Sequence, residues 1–247
     1  MENYSIYCLQ TRYFRDMYAS LIIVRYPRWM GWAGLFSMAV FRIPLLFNRS
    51  LSFWKLMGSG RNGTFSKVPD WRQWAVLLVH QNSKQPEQAV PDFFARWWSF
   101  FGCEQWTLHL EAMEGHGMWD GKPVFGTLPK QSNYEGPVGI LTRATIRIGK
   151  LGRFWDHVNG VAERMAGAPG LITSVGIGET PWIKQATFSI WENKEFMKDF
   201  AYRMKEHADV IRKTKSEQWY SEEMFVRFKI LRSEGTLNGK LPFEIKP

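Results

Sequence analysis

Apolar positions along this chain follow two rhythms, one with a period of two and one near 3.6. The clearest helical rhythm runs from about 192 to 217, where Phe196, Phe200, Met204, His207 and Ile211 recur at steps of four, four, three and four. At about 100° per residue these five share one narrow stripe, and the positions between them are mostly Lys, Arg, Asp and Glu, which face water. His207 therefore stands in the middle of a buried stripe, where a leucine would be expected. Two readings fit it: a core histidine satisfied by hydrogen bonds, or a metal or haem ligand held by a rigid helix over a pocket.

The period-two rhythm predicts strands at about 18–26, 51–58, 74–80 and 104–113, then again at 138–148, 171–178, 185–191 and 224–231. Helical patterns fall at 85–102, 150–167 and in the His207 stripe, and the apolar run 27–48 is predicted helical. That run is too short to cross a bilayer, for which about 20 residues are needed. Burial is its expected fate, with a position at a membrane surface as the alternative. A Pro/Gly/Asn-bearing linker is expected at 123–136, and a loose tail from 233 onward.

The order βαββαβ thus occurs twice, and residues echo with it. Leu56-Met57-Gly58-Ser59-Gly60 matches Ser174-Val175-Gly176-Ile177-Gly178, and AVLLVHQN at 75–82 matches ATFSIWEN at 186–193. The expected fold is α+β, with two tandem ferredoxin-like units, 18–122 and 137–232, forming a dimeric-α+β-barrel-type fold within one chain. In the second unit Ser174, Gly176 and Gly178 share one strand face. Side chains this small either leave a slot for a flat ligand or relieve a hairpin bend.

Composition narrows the function classes. The 247 residues include 13 Trp and 18 Phe, which suits a wide apolar interior or binding surface. Two cysteines, Cys8 and Cys103, make no disulfide framework or thiolate cluster. No apolar signal core opens the chain, so a cytoplasmic protein is the default, with contact to an anionic membrane surface compatible with the net charge of +9. Nucleic acid is not an expected partner, because no basic block or nucleic-acid motif appears. Gly58–Gly63 fits the letters GxGxxG, but no helix pattern opens behind it, so a dinucleotide site is not expected. His109 and Glu111 lack the PCxxC that a zinc deaminase needs, and neither HExxH nor GxSxG is present. His116, in Gly115-His116-Gly117, reads as a residue of a flexible loop and is the main competitor of His207 as a ligand.

The second half resembles a known family. The carriers are Leu141-Thr142-Arg143-Ala144-Thr145-Ile146-Arg147, Gly176-Ile177-Gly178-Glu179, Pro181-Trp182, Gln185 and Thr187-Phe188-Ser189-Ile190-Trp191. They continue through Phe200-Ala201, His207, Ile211, Glu217, Trp219, Glu222-Glu223 and Arg227-Phe228. Fainter matches reach Phe53-Trp54-Lys55-Leu56, Gly58, Gly60, Gly117, Trp119, Gly121, Pro123 and Phe125. Together they resemble the spheroidene monooxygenases of carotenoid biosynthesis. The resemblance implies a haem-containing, O2-dependent oxygenase that converts a methylene near the end of an acyclic carotenoid to an alcohol and then a ketone. It implies haem b as cofactor, an electron donor such as a ferredoxin, an apolar carotenoid-like substrate, and a homo-oligomer as an open option. Aldoxime dehydratases and chlorite dismutases are similar in architecture and hang their iron from a helix histidine in the second unit, so the resemblance implies His207 as axial ligand, flanked by Met204 and Ile211. Arg143 or Arg147 would polarise O2 or hold a haem propionate, with an ion pair lining the barrel as the equal alternative. Gln185, Phe188 and Trp191 would line the pocket with Ser174, Gly176 and Gly178. A dehydratase needing no O2, a haem-handling protein without turnover and a cofactor-free oxygenase are the competing classes.

Overall fold

The computed structural model describes residues 17–61, 64, 66–81, 90–203, 214 and 216–245, without the side chains of 81, 158–164, 202 and 203. Eight antiparallel strands close into a barrel: β1 (Met17–Arg25), β2 (Leu51–Gly60), β3 (Pro69–Gln81), β4 (Glu104–Gly117), β5 (Val138–Ile146), β6 (Leu171–Thr180), β7 (Lys184–Trp191) and β8 (Tyr220–Gly235). Their order is β1-β3-β2-β6-β7-β5-β8-β4. Each half reads 4-1-3-2 within its own unit, which is the ferredoxin-like order expected from the duplicated pattern.

The two halves meet along unequal seams. The β4–β8 ladder runs from Trp106↔Gly235 to Gly117↔Met224. The β2–β6 ladder has two pairs, Gly58↔Gly178 and Ser59↔Ile177. The alternation seen in the sequence sends one set of side chains inward, among them Leu21, Leu77, Leu108, Val175, Phe188 and Phe228. They fill the interior, as expected of an eight-stranded barrel.

Helices cover the outside: α1 (Gly31–Val40), α2 (Arg42–Phe47), α3 (Asp92–Phe100), α4 (Leu151–Ala166) and α5 (Lys194–Lys198). The run 27–48 divides in two at Phe41, whose buried ring stacks on Phe94 at 3.9 Å. Burial of this run is only partial, since its outer side is open to solvent. The helix expected at 192–217 starts with α5, capped by the Asn193 side chain, which accepts the N–H groups of Glu195 and Phe196. It continues as a π-helical turn, Asp199–Arg203. Met204, His207 and Ile211 lie outside the described residues, as does the start of the helix expected at 85–102.

Three expectations need correcting. β4 runs on to Gly117, so His116 belongs to a strand, paired with Phe225, and not to a flexible loop. β3 begins at Pro69, well before the apolar run at 74–80, because β2 supplies ladder partners for Pro69 and Asp70. The tail is not loose. Trp119-Asp120-Gly121-Lys122 and Leu237-Asn238-Gly239-Lys240 are both two-residue turns with positive φ at both central positions, the hairpin geometry that Asp-Gly and Asn-Gly favour. Each turn gives its two central N–H groups to a carboxylate at or near the start of the last strand of a unit. Asp120 and Gly121 donate to Glu222, and Asn238 and Gly239 donate to Glu104. The tail is thus the second copy of a plug, and Phe243 behind it is buried in the core as Phe125 is behind the first.

Candidate functional site: the outer face of the second unit

Because Val175, Ile177, Ala186, Phe188 and Leu141 point inward, their neighbours on β5, β7 and β6 point outward. Three cross-strand rows result: Ile140–Ser189–Ser174, Thr142–Thr187–Gly176 and Ala144–Gln185–Gly178. Most of these side chains are small, and they form a floor of roughly 10 by 13 Å from the spacing of strands and residues. Ser174 and Thr142 are exposed in its middle. Both ends of the same face are covered. At one end Val138, Ile140, Trp191, Met197 and Phe200 make a buried cluster, with the Trp191 and Phe200 rings 5.4 Å apart and Trp191 Nε1 donating to Ser189 Oγ. At the other end Ile146, Phe154, Trp155 and Trp219 pack together. The floor is therefore a trough between two aromatic walls. Phe196 and Phe200, the first two positions of the His207 stripe, both belong to the Trp191 wall.

The remaining site candidates divide between faces. Gln185 is on the floor, its side chain donating to the Thr180 carbonyl at 3.2 Å. Arg147 lies just past the end of β5, exposed, with Nε donating to the Tyr220 carbonyl at 3.3 Å beside the Trp155 wall. Arg143 and Phe188 point into the barrel. A sheet separates them from Ser174, Gly176, Gly178 and Trp191, so the proposed residues do not meet in one pocket.

Arg143 is instead the centre of a charged lock at one end of the barrel. It pairs with Glu222, and its Nη2 lies 3.7 Å from both Asp120 and Glu179. Its guanidinium sits 5.4 Å over the ring of Trp119, whose indole N–H donates to Glu179. Lys55 on β2 bonds both Asp120 and Glu179, and Lys184 bonds Asp120. Three cations and three carboxylates thus balance, and Lys55 ties the first unit to the second beside the short β2–β6 seam. Burial would raise the Asp120 carboxyl, but the bonds from Lys184 and Lys55 outweigh it and bring it down to about 2. The sequence reading missed Lys55, Asp120, Lys184 and Glu222 as partners. The available signal was the Asp120-Gly121 turn between two strands.

Among the described residues the histidines are packed or solvated. Ser20, His80 and His109 cluster on the outer face of the first unit, all buried, with Ser20 Oγ 3.1 Å from His109 Nδ1 and 3.5 Å from His80 Nε2. Burial, with His109 adding to it, pushes His80 down to about 4. His116 is exposed and stacks on Phe225 at 5.9 Å. Among the described residues no group of three or more His, Cys, Asp or Glu is gathered to hold a metal ion.

Known sequences give the rest of the frame. The chain is 33% identical to a spheroidene monooxygenase of Rhodobacter capsulatus over 213 residues, covering 85% of this chain and 88% of that protein. The chain belongs to the spheroidene monooxygenase family. A Rubrivivax gelatinosus member is 30% identical over 202 residues, 80% of this chain and 75% of its own length. A Cereibacter sphaeroides member is 33% identical over 77% of this chain, which spans 59% of that longer relative. No family model matches the chain. Among solved structures, the aldoxime dehydratase OxdRE in complex with butyraldoxime superposes with a TM-score of 0.59 at 7% identity, covering 88% of this chain and 80% of that one. A second aldoxime dehydratase gives 0.58 at 8% identity, covering 88% and 82%. At such identities the likeness concerns the fold alone.

Proposed function

We propose that this protein is a haem b-dependent monooxygenase that oxidises a methylene of a long, apolar, acyclic-carotenoid-like substrate to an alcohol and then a ketone. Family membership supports the reaction class. The observation that carries the cofactor reading is the trough: a floor of small side chains, three strands wide, open at Ser174 and Thr142 and walled by rings at both ends. A flat macrocycle needs such a floor, because large side chains there would lift it off the sheet. His207 would hold the haem iron, as a neutral imidazole. Arg147 would reach a propionate from the trough's edge, and Gln185, Trp191, Met204 and Ile211 would line its sides.

Haem, when bound, would supply the reductive activation of O2, with electrons from a donor such as a ferredoxin. Each round consumes one O2, two electrons and two protons, inserts one oxygen into a C–H bond and releases one water. The second round yields a gem-diol that loses water to give the ketone. The chain's own part is to hold the polyene end against the trough and keep bulk water from the reacting carbon.

Purified protein should show a Soret band. His207→Ala should lose it, and Ser174→Trp, which fills an exposed floor position, should lose it while keeping the thermal midpoint of haem-free wild type. A His207→Ala protein with full haem content and an unchanged spectrum would remove His207 as ligand, and His116 would be examined next. Isotopically labelled O2 fed with an acyclic carotenoid should place label in the product ketone. Turnover without O2 would point to a dehydratase on the same scaffold.

A further inference from the structure

We infer that the α1–α2 face, with the adjoining side of α3, is a docking surface for an anionic lipid bilayer. Trp29, Trp32, Phe36, Leu46, Phe47 and Phe100 are all more than half exposed, Trp29 and Phe47 at 80%. The patch is continuous between helices: Phe36 stacks on Trp97 at 6.2 Å and Trp32 meets Phe101 edge-on at 6.1 Å. Phe41, buried between α1 and α2, packs against Phe93, Phe94, Trp97 and Trp98 and so fixes the helix pair to α3. An apolar surface of this extent marks an interaction site.

Charge identifies the occupant. From Met17 to Pro69 the sequence has no Asp or Glu. Within it Arg28 precedes Trp29, Arg42 stands at the junction of α1 and α2, and Arg49 follows Phe47, all exposed. Arg96 adds a fourth cation on α3, whose acidic residue is Asp92. A two-fold contact between copies would bring these arginines against themselves with no carboxylate in the stretch to pair them. An anionic headgroup layer satisfies them, while the rings and leucine enter the acyl boundary and the arginine stems lie along it. With ten and six residues, α1 and α2 rest on the bilayer and do not cross it. The inference stands without the proposed reaction; if that reading holds, the same surface brings the enzyme to where an apolar polyene dissolves.

Full-length protein would be co-sedimented with vesicles of phosphatidylcholine alone and of phosphatidylcholine with phosphatidylglycerol. Partitioning to the anionic vesicles should be at least tenfold stronger and should weaken with salt. From about 1 kcal/mol per cation near an anionic surface, Arg28→Gln/Arg42→Gln/Arg49→Gln together should lower it by roughly two decades. Phe36→Ser/Phe47→Ser should lower it on both vesicle types without moving the thermal midpoint, since both rings are exposed. Brominated acyl chains should quench part of the wild-type tryptophan emission, and Trp29→Phe/Trp32→Phe should remove the quenched part, which decides the matter even if another variant misfolds. Absence of vesicle binding, equal binding to both compositions, or a dimer in sedimentation equilibrium that Phe36→Ser/Phe47→Ser dissolves would each overturn the inference, the last in favour of a second copy. Haem loading and turnover in detergent should survive all of these substitutions, so failure here and failure of the oxygenase reading are separable.

Discussion

Replacing Arg143 by methionine keeps the stem and removes the guanidinium, and so asks whether this residue locks the barrel or serves the reaction. Its side chain is 1% exposed, while those of Glu179, Glu222 and Asp120 are 13%, 21% and 37% exposed. Breaking a buried ion pair costs about 3–5 kcal/mol. Here the carboxylates keep some water, Lys55 and Lys184 remain, and Nε and Nη2 of Arg143 make no hydrogen bond among the described residues. These three facts reduce the cost to about 2–3 kcal/mol. For a chain of this size that is a fall in thermal midpoint of roughly 4–12 °C. Circular dichroism melting of Arg143→Met measures it, and Arg143→Lys should recover part of the loss because an ammonium still faces the three carboxylates. An unchanged midpoint would refute the lock. An unchanged midpoint together with lost turnover would return Arg143 to the chemistry.

Two further perturbations test the packing of the first unit. His80, held near 4 against 6.5 for a free imidazole, is depressed, so its contribution is complete above pH 6.5 and is lost as pH falls toward 4. The full loss is about 3 kcal/mol, of which about 2 kcal/mol is gone at pH 5. Urea midpoints at pH 7 and 5 should show it, and His80→Leu should flatten the difference; an equal drop in that variant would sink the assignment. At Gly34, where α1 rests on β3, an added Cβ would lie 2.1 Å from Trp74 Nε1. That nitrogen already donates to the Trp71 carbonyl at 2.9 Å. Gly34→Ala should therefore cost about 1–3 kcal/mol by overpacking, and a chemical-denaturation midpoint equal to wild type would show that the indole yields freely.

The repeated strand rhythm was legible in the sequence because inward and outward positions alternate in QATFSIW and, past the bulge between Leu171 and Thr173, in TSVGIG. Ends of elements were not legible. β3 begins at Pro69 and β8 runs to Gly235 because a neighbouring strand supplies ladder partners, a tertiary cause that no local pattern carries. The tail was misread for a different reason. Thr236-Leu237-Asn238-Gly239-Lys240 looks like a polar terminus until it is set beside Met118-Trp119-Asp120-Gly121-Lys122, where the same turn serves the other end of the barrel. The shared trough of Ser174, Gly176 and Gly178 was visible as a face. That Arg143 sits on the other side of that sheet follows only from closure of the barrel, since strand parity says which residues share a face and not which face is inside.

Closure also decides where a long apolar substrate can lie. The rings counted in the sequence could have lined a channel through the molecule, but inward positions are filled by side chains from all eight strands. The two turn plugs add Trp119 and Phe125 at one end and Leu237 and Phe243 at the other. The hollow beside the first plug, lined by Gly115, Pro123, Phe125, Leu128 and Met224, holds about 20 Å³, room for about one water. Among the described residues a polyene therefore has no route along the barrel axis. Under the proposed function its site would lie between a sheet and its helices, where the second unit presents small residues and the first presents bulky ones. On the first unit's outer face Val76 of β3 pairs with Leu56 of β2, and both pack in the helix-covered core. Among the described residues the first unit thus packs bulky side chains under its helices, while the second carries the small row Thr142–Thr187–Gly176.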